Sequence, residues 1–283
     1  MIRKNKNTKI LPSVIILTYN EEIHIERCIK SVLKIADKIY IIDSYSSDKT
    51  LKICKKFGNK IKIYQHKYIN HATQMNWAIK KIPKNKKWIL RIDSDEILES
   101  NFFNKINLIK NINEFNGINI IIEHLFLGKK IRYGGVYPQY QIRLWKRKYG
   151  KYDNKPMDEK LILKKQNIFN SQIKIIDWNL KGILFWFKKH YLYAQRESEL
   201  FFKIKKKVIQ KNKKDKKLND KILYYKYPIF FRVFALVLYR FIIKKSFLDG
   251  LIGFKFCLMQ TLYYRLLIDS IIFFKYLNKS YRK

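Results

Sequence analysis

The chain reads as an α/β protein, a mostly parallel sheet between helices, followed by a helical C-terminal extension suited to a membrane surface. Short β-branched runs alternate with helical patterns through the first hundred residues. Polar groups gather just beyond three of those runs, where open parallel sheets bind their ligands. From about residue 186 the composition shifts to long apolar and basic stretches of helical spacing. A length of 283 residues suits one sizeable domain with an appendage, and the shift divides the chain into 1–185 and 186–283.

Taken in order, Ser13 to Thr18 (SVIILT) is the first strand. Asn20 can cap the helix that follows, whose apolar positions Ile25, Cys28, Ile29, Val32 and Leu33 share one face. Lys38 to Asp43 (KIYIID) is the second strand, and Asp48 can cap a helix ending near Gly58, with Leu51 and Cys54 inward. Ile61 to Gln65 is the third strand. A helix over residues 72–82 turns Met75, Ala78, Ile79 and Ile82 to the core. Trp88 to Asp93 (WILRID) is the fourth strand. Gly117 to Leu127 and Gln139 to Trp145 are further strand-like runs, and Lys188 to Lys217 is a long helix running into a lysine block.

The 61 basic residues outweigh 22 acidic ones, a formal net charge of +39. Such charge draws a chain to nucleic acid, anionic lipid or phosphorylated substrates. It also accompanies an abundance of Lys, Asn, Ile, Tyr and Phe, residues that A/T-rich codons supply together. Cys28, Cys54 and Cys257 show neither disulfide nor zinc spacing, which fits a reducing cytosol. The basic N-terminus carries no apolar run long enough for a signal peptide.

Thr18-Tyr19-Asn20-Glu21-Glu22 follows the first strand, Asp43-Ser44 the second and Asp93-Ser94-Asp95-Glu96 the fourth. In extended geometry Asp93 and Asp95 face one side, as hard ligands for Mg²⁺ or Mn²⁺ that would also bridge to substrate phosphates. Against this stands the common use of acidic residues to cap turns. Asp43 can accept a hydrogen bond from a nucleobase imide, or simply cap its turn. Tyr19 offers a stacking face, or an ordinary half-buried ring. No glycine-rich phosphate loop follows any strand. His24, His66, His71, His124 and His190 are widely separated, and no Ser–His–Asp arrangement is apparent.

Thr18 to Glu22 (TYNEE), Ile42 to Thr50 (IDSYSSDKT) and Trp88 to Glu96 (WILRIDSDE) resemble the family 2 glycosyltransferases, in particular the branch of the lipopolysaccharide-core β-1,4-glucosyltransferases. Gly134-Gly135-Val136-Tyr137-Pro138, Gln141-Ile142-Arg143-Leu144-Trp145, and Phe247-Leu248-Asp249-Gly250 with Gly253-Phe254 are similar to that branch too. The resemblance implies a GT-A fold, a UDP-sugar donor and an inverting transfer of a hexose, glucose in that branch, to a cell-envelope glycan. Thr18, Tyr19, Glu21 and Asp43 would line the nucleoside pocket, with Asn76 in the segment that meets the donor in relatives. Asp93 and Asp95 would hold Mn²⁺ or Mg²⁺. Glu159 would be the general base, with Asp158 in place of the family's usual histidine beside it.

Residues 229–243 are too short to span a bilayer, and Phe247 to Leu277 is interrupted by Asp249, Lys255, Arg265 and Asp269. Both read as interfacial helices at an anionic membrane, or as helices packed on the domain. The expected location is the inner face of the cytoplasmic membrane. The acceptor would be a lipid-linked or lipopolysaccharide saccharide. A polyprenyl-phosphate acceptor is the alternative within the enzyme class. A basic nucleic-acid-binding protein is the alternative outside it, and it leaves the carboxylate cluster unexplained, so no nucleic-acid partner is expected.

Overall fold

The computed structural model describes residues 10–153, 160–211 and 216–280. The chain divides into two units, Met1–Gly128 with Pro138–Leu180, and Lys129–Tyr137 with Lys181–Lys283.

In the first unit, β1 (Ser13–Thr18), α1 (Ile25–Val32), β2 (Lys38–Asp43) and β3 (Ile61–Gln65) form where their periodicity places them. The second helix, α2 (Thr50–Lys55), is shorter than expected, because Gly58 at φ +57° turns the chain into a separate 3-10 turn. Helix α3 (His71–Lys81) starts at Asn70, whose side chain accepts the Thr73 N–H. Strand β4 (Trp88–Arg91) ends two residues before Asp93. There follow β5 (Glu96–Leu98), α4 (Phe102–Asn107), β6 (Gly117–Phe126) and β7 (Gln139–Lys146). A small hairpin of β8 (Gly150–Tyr152) and β9 (Leu161–Leu163) precedes β10 (Ile168–Asp177).

The sheet runs β3-β2-β1-β4-β7-β6-β10-β5. It is parallel from β3 to β4; β7 then enters antiparallel between β4 and β6, β10 lies parallel to β6, and β5 is antiparallel to β10. The sheet is therefore mixed. This order puts the carboxyl ends of β1, β2, β4, β6 and β10 at one edge, together with the first residues of β5 and β7.

Side-chain alternation covers both faces. Val14, Ile16, Ile39, Ile41 and Leu90 pack with α1, α2 and α4 on one face. Ile15, Tyr40, Ile42 and Ile89 pack with Ala72, Met75 and Ala78 of α3 on the other. Each such aliphatic side chain withdrawn from water contributes about 1.5–3 kcal/mol.

The second unit is helical: α5 (Gly182–Lys205), α6 (Lys216–Tyr224), α7 (Phe231–Leu238), α8 (Gly250–Cys257) and α9 (Tyr264–Ser280). Helix α5 ends at Lys205, inside the lysine block through which it was expected to continue to Lys217. Ala194, Phe201, Tyr225, Ile268 and Ile272 form the core of this unit. Two motifs distant in sequence meet here: the Asp249 carboxylate accepts the N–H groups of Arg132 and Tyr133, and Gly134 N–H donates to the Lys244 carbonyl at 2.9 Å. Ser246–Asn278 forms one helical run of 33 residues, long and apolar enough by length and composition to cross a membrane, with 28% of its most apolar window buried. Asp249, Lys255, Arg265, Asp269 and Lys275 lie along this run, and an 18-residue window with at most two of them reaches an apolarity that the sequence reading had not found.

Candidate active site

The loops after β1 and β2 are stitched together at the carboxyl edge. Thr18 Oγ1 donates to Asp43 Oδ1 at 3.0 Å, and Ser46 donates to the same carboxylate through its hydroxyl (2.5 Å) and its backbone N–H (2.8 Å). Asp43 is completely buried. Its charge organises the turn first, and a base would meet it only through an oxygen lone pair these donors leave open. Asn20 does not cap α1. It sits at φ +53°, donates its N–H to Ser46 and accepts the Ser47 N–H at 2.8 Å, so it joins the two loops instead. Asp48 accepts the Thr50 N–H at 2.9 Å and the Glu22 N–H at 3.0 Å, serving both the start of α2 and the neighbouring loop.

Tyr19 is 59% exposed at this rim. Glu21 is anchored by His24, whose Nδ1 lies 2.6 Å from Oε2. The Leu180 N–H donates to His24 Nε2, which assigns the imidazole proton to Nδ1 and directs it at Glu21.

Asp93 and Asp95 lie in a turn beyond β4, closed by the Glu96 N–H on the Asp93 carbonyl at 3.0 Å. The extended-strand argument for their facing one side does not apply there, and the two carboxylates have different neighbours. Asp93 accepts Arg91 in bidentate fashion (2.9 and 2.7 Å) and Arg143 at 3.3 and 3.4 Å. Loss of surrounding water opposes its ionisation, but Arg91 and Arg143 overcome that and hold it far below the usual carboxylate range. Asp95 Oδ2 accepts the Asn179 amide at 3.0 Å, and the Asp95 carbonyl accepts Arg27 and the Trp178 N–H.

The two carboxylates are hard ligands of the kind a divalent cation uses when water and substrate phosphate complete its shell. Asp93 and Asp95 fit such an ion in that limited sense. Among the described residues no group of three or more His, Cys, Asp or Glu side chains is gathered as a metal site.

Several groups at this edge escape the sequence reading. Arg143 reaches Glu96 at 2.5 Å, yet the same guanidinium also serves Asp93. Burial and the Asp93 charge push Glu96 up to about 8. His124, at the end of β6, pairs through Nδ1 with Asp177 at the end of β10 (2.8 Å) and through Nε2 with Gln139 at the start of β7 (2.7 Å). Burial would lower the His124 pKa, but Asp177 raises it above the ordinary value. Sequence offered one usable signal, the arginine of the Gln141–Trp145 motif; the histidine contacts depend on strand order.

Asn76 spends its amide on β8, donating to the Tyr152 carbonyl and accepting the Tyr152 N–H, both at 2.9 Å. Tyr152 in turn faces Arg91, with its hydroxyl 3.4 Å from the guanidinium. Gln74 bonds Ser44 and His66. His71 packs edge-on to Tyr152; burial and then Arg91 hold its imidazole down to about 4, so it is neutral. Asp158 and Glu159 lie outside the described residues.

Residues 13–118 match the model of Glycosyl transferase family 2. An uncharacterized glycosyltransferase of Rickettsia bellii is 39% identical over 97 residues, 34% of this chain and 32% of the relative. A second, from Rickettsia conorii, is 32% identical over 105 residues, 37% of this chain and 36% of the relative. The glycosyltransferase SunS of Bacillus subtilis is 30% identical over 109 residues, 38% and 25% of the two chains. The chain thus spans about a third or less of the length of these relatives. Among solved structures, Staphylococcus aureus TarS 1–349 in complex with UDP-GlcNAc superposes with a TM-score of 0.48 and 13% identity, over 92% of this chain and 90% of the other. Glucosyl-3-phosphoglycerate synthase of Mycobacterium tuberculosis, in complex with Mn²⁺, UDP-glucose and phosphoglyceric acid, gives 0.33 and 18% over 40% and 44%. The segment that matches the family model carries Thr18, Asp43, Asp93 and Asp95.

Proposed function

We propose that the protein transfers a hexose from a UDP-sugar to a hydroxyl of a cell-envelope glycan, with inversion, at the inner face of the cytoplasmic membrane. The observation that carries this reading is the meeting of Thr18, Asp43, Asp93 and Asp95 at one sheet edge within the family-matched segment. Glucose and a lipopolysaccharide-core acceptor are the finer assignment, and they rest on the resemblance of the motifs.

In this reading the GT-A crevice divides into a nucleoside end at Thr18, Tyr19, Glu21 and Asp43, and a diphosphate end at Asp93 and Asp95. Mn²⁺ or Mg²⁺ held by Asp93 and Asp95 would supply Lewis-acid neutralisation of the departing diphosphate. Arg91 and Arg143 keep Asp93 ionised and fixed in place. Asn76 reaches the site indirectly, by clamping the Tyr152 that faces Arg91. The acceptor oxygen attacks the anomeric carbon from the face opposite the nucleotide. The bond from that carbon to the diphosphate oxygen breaks, and its electron pair leaves with UDP. Glu159 takes the hydroxyl proton, and a neighbouring Asp158 charge would raise its proton affinity.

The test is UDP release from UDP-glucose, UDP-galactose and UDP-N-acetylglucosamine in turn, with and without EDTA. Release is expected with one donor and should disappear with EDTA or in Asp95→Asn. Glu159→Gln should bind donor and release little UDP. No release from any donor would refute the reading. The long apolar run Ser246–Asn278 favours a second acceptor, a polyprenyl phosphate held in the bilayer. Supplying a short-chain polyprenyl phosphate and following sugar transfer to lipid separates the two acceptors.

A further inference from the structure

The second unit turns a stripe of large apolar side chains outward. On α7 and the turn after it, Phe231, Phe234, Leu238 and Ile242 are all exposed, at a spacing of three to four residues that places them on one face. Phe231 is 65% exposed and Ile242 55%. The opposite face of α7 is buried through Arg232 and Val233. On α8, Leu251 (67% exposed) and Phe254 continue the pattern. Lys244, Lys245 and Lys255, also exposed, lie among these side chains. Soluble proteins rarely leave so continuous an apolar surface in water.

Buried ion pairs tie the α9 half of the run Ser246–Asn278 into the helical unit. Asp269 forms a buried ion pair with Arg232 of α7 and accepts the Phe230 N–H at 3.0 Å. Arg265 donates to Glu197 of α5 at 2.9 Å, and Glu197 also accepts from Tyr225 and Lys221. Burial would raise the Glu197 carboxyl, but Arg265 and Lys221 hold it below its ordinary range. Drawing α9 alone across a bilayer would leave these charges unpaired in hydrocarbon. Carrying the whole bundle with it would drag in α5, which bears Lys188, Lys189, Arg196, Lys203 and Lys205.

We propose that the α7–α8 face is an in-plane membrane anchor, seating its apolar stripe in the acyl boundary of an anionic leaflet while its lysines meet the headgroups. Charge selects this occupant: an apolar face studded with lysines, on a chain of net charge +39, complements anionic lipid. The inference deepens the membrane part of the proposed function and does not depend on the sugar chemistry.

The experiment is sedimentation of the full chain with vesicles of phosphatidylethanolamine and phosphatidylglycerol, compared with vesicles of phosphatidylcholine alone, alongside alkaline carbonate extraction of cell membranes. Binding is expected to the anionic vesicles only, weakened by salt, with the protein released by carbonate. Phe234→Asp and Leu238→Asp should each weaken binding on the order of tenfold, and Lys244→Ala about fivefold. Unchanged circular dichroism and melting would show that these variants are folded, and UDP binding, read in parallel, reports on the sugar chemistry separately. Retention after carbonate would overturn the proposal in favour of a spanning helix. Wild-type binding by folded Phe234→Asp and Leu238→Asp, or no anionic binding at low salt, would overturn it outright.

Discussion

Thr18, Asp43 and Ser46 are bound to one another, so the proposed nucleoside end of the crevice is preorganised by its own hydrogen bonds. Asp93 is similar: two guanidinium groups fix both of its oxygens, and its charge is secured across the physiological range. His124 differs, because its charge is conditional. Its pKa is raised in the folded chain, the Asp177 pair overcoming burial, so the stabilisation is fully present below the unfolded value of about 6.5. It is lost as pH rises through the folded value. His124→Gln should therefore lower the melting temperature more at pH 6 than at pH 9; an equal loss at both would show that the pair adds nothing as an ion pair. Thr18, Asp43, Asp93 and Asp95 were legible as polar residues following apolar runs. His124 and Asp177 were not, because nothing local marks a residue whose partner lies on a strand far away in sequence.

Elements were legible wherever period and length agreed. β1 and β2 keep their expected bounds because apolar runs buried on both sheet faces admit no other register, and β3 because its alternation turns Ile61 and Ile63 to the core. β4 is shorter than its apolar pattern suggests, since the Asp93–Glu96 turn takes the backbone away from the ladder. That turn is what aims Asp93 and Asp95 at different neighbours. The corner between the 3-10 turn Ser246–Asp249 and α8 depends on one glycine: a Cβ on Gly253 would lie 2.1 Å from the Ser246 carbonyl oxygen and 2.6 Å from Asp249 Cβ. Gly253→Ala should destabilise the protein by about 1–3 kcal/mol in urea unfolding, through forced displacement of the Ser246 backbone. An unchanged midpoint would mean the corner yields freely.

Over the whole molecule, strand order does what no single motif can. Inserting β7 antiparallel between β4 and β6 brings the start of one strand to the ends of its neighbours, so that Gln139 meets His124 and Arg143 reaches Asp93 and Glu96. Alternation predicted an α/β sheet and a helical C-terminal region, but it could not predict this insertion, which is decided by pairing between distant segments. Net charge alone could not choose among nucleic acid, lipid and phosphorylated substrate; the two proposals, a nucleotide-sugar crevice and an apolar stripe seated on anionic lipid, would each use it. The central claim is that the crevice edge binds a nucleoside diphosphate. Calorimetric titration of UDP in the presence of Mn²⁺, with wild type and Asp43→Asn in parallel, addresses it most directly. The account predicts saturable one-to-one binding by the wild type, weakened on the order of tenfold when Asp43 loses its charge and its turn loosens. No heat of binding by the folded wild-type chain, or equal affinity in the two proteins, would contradict it.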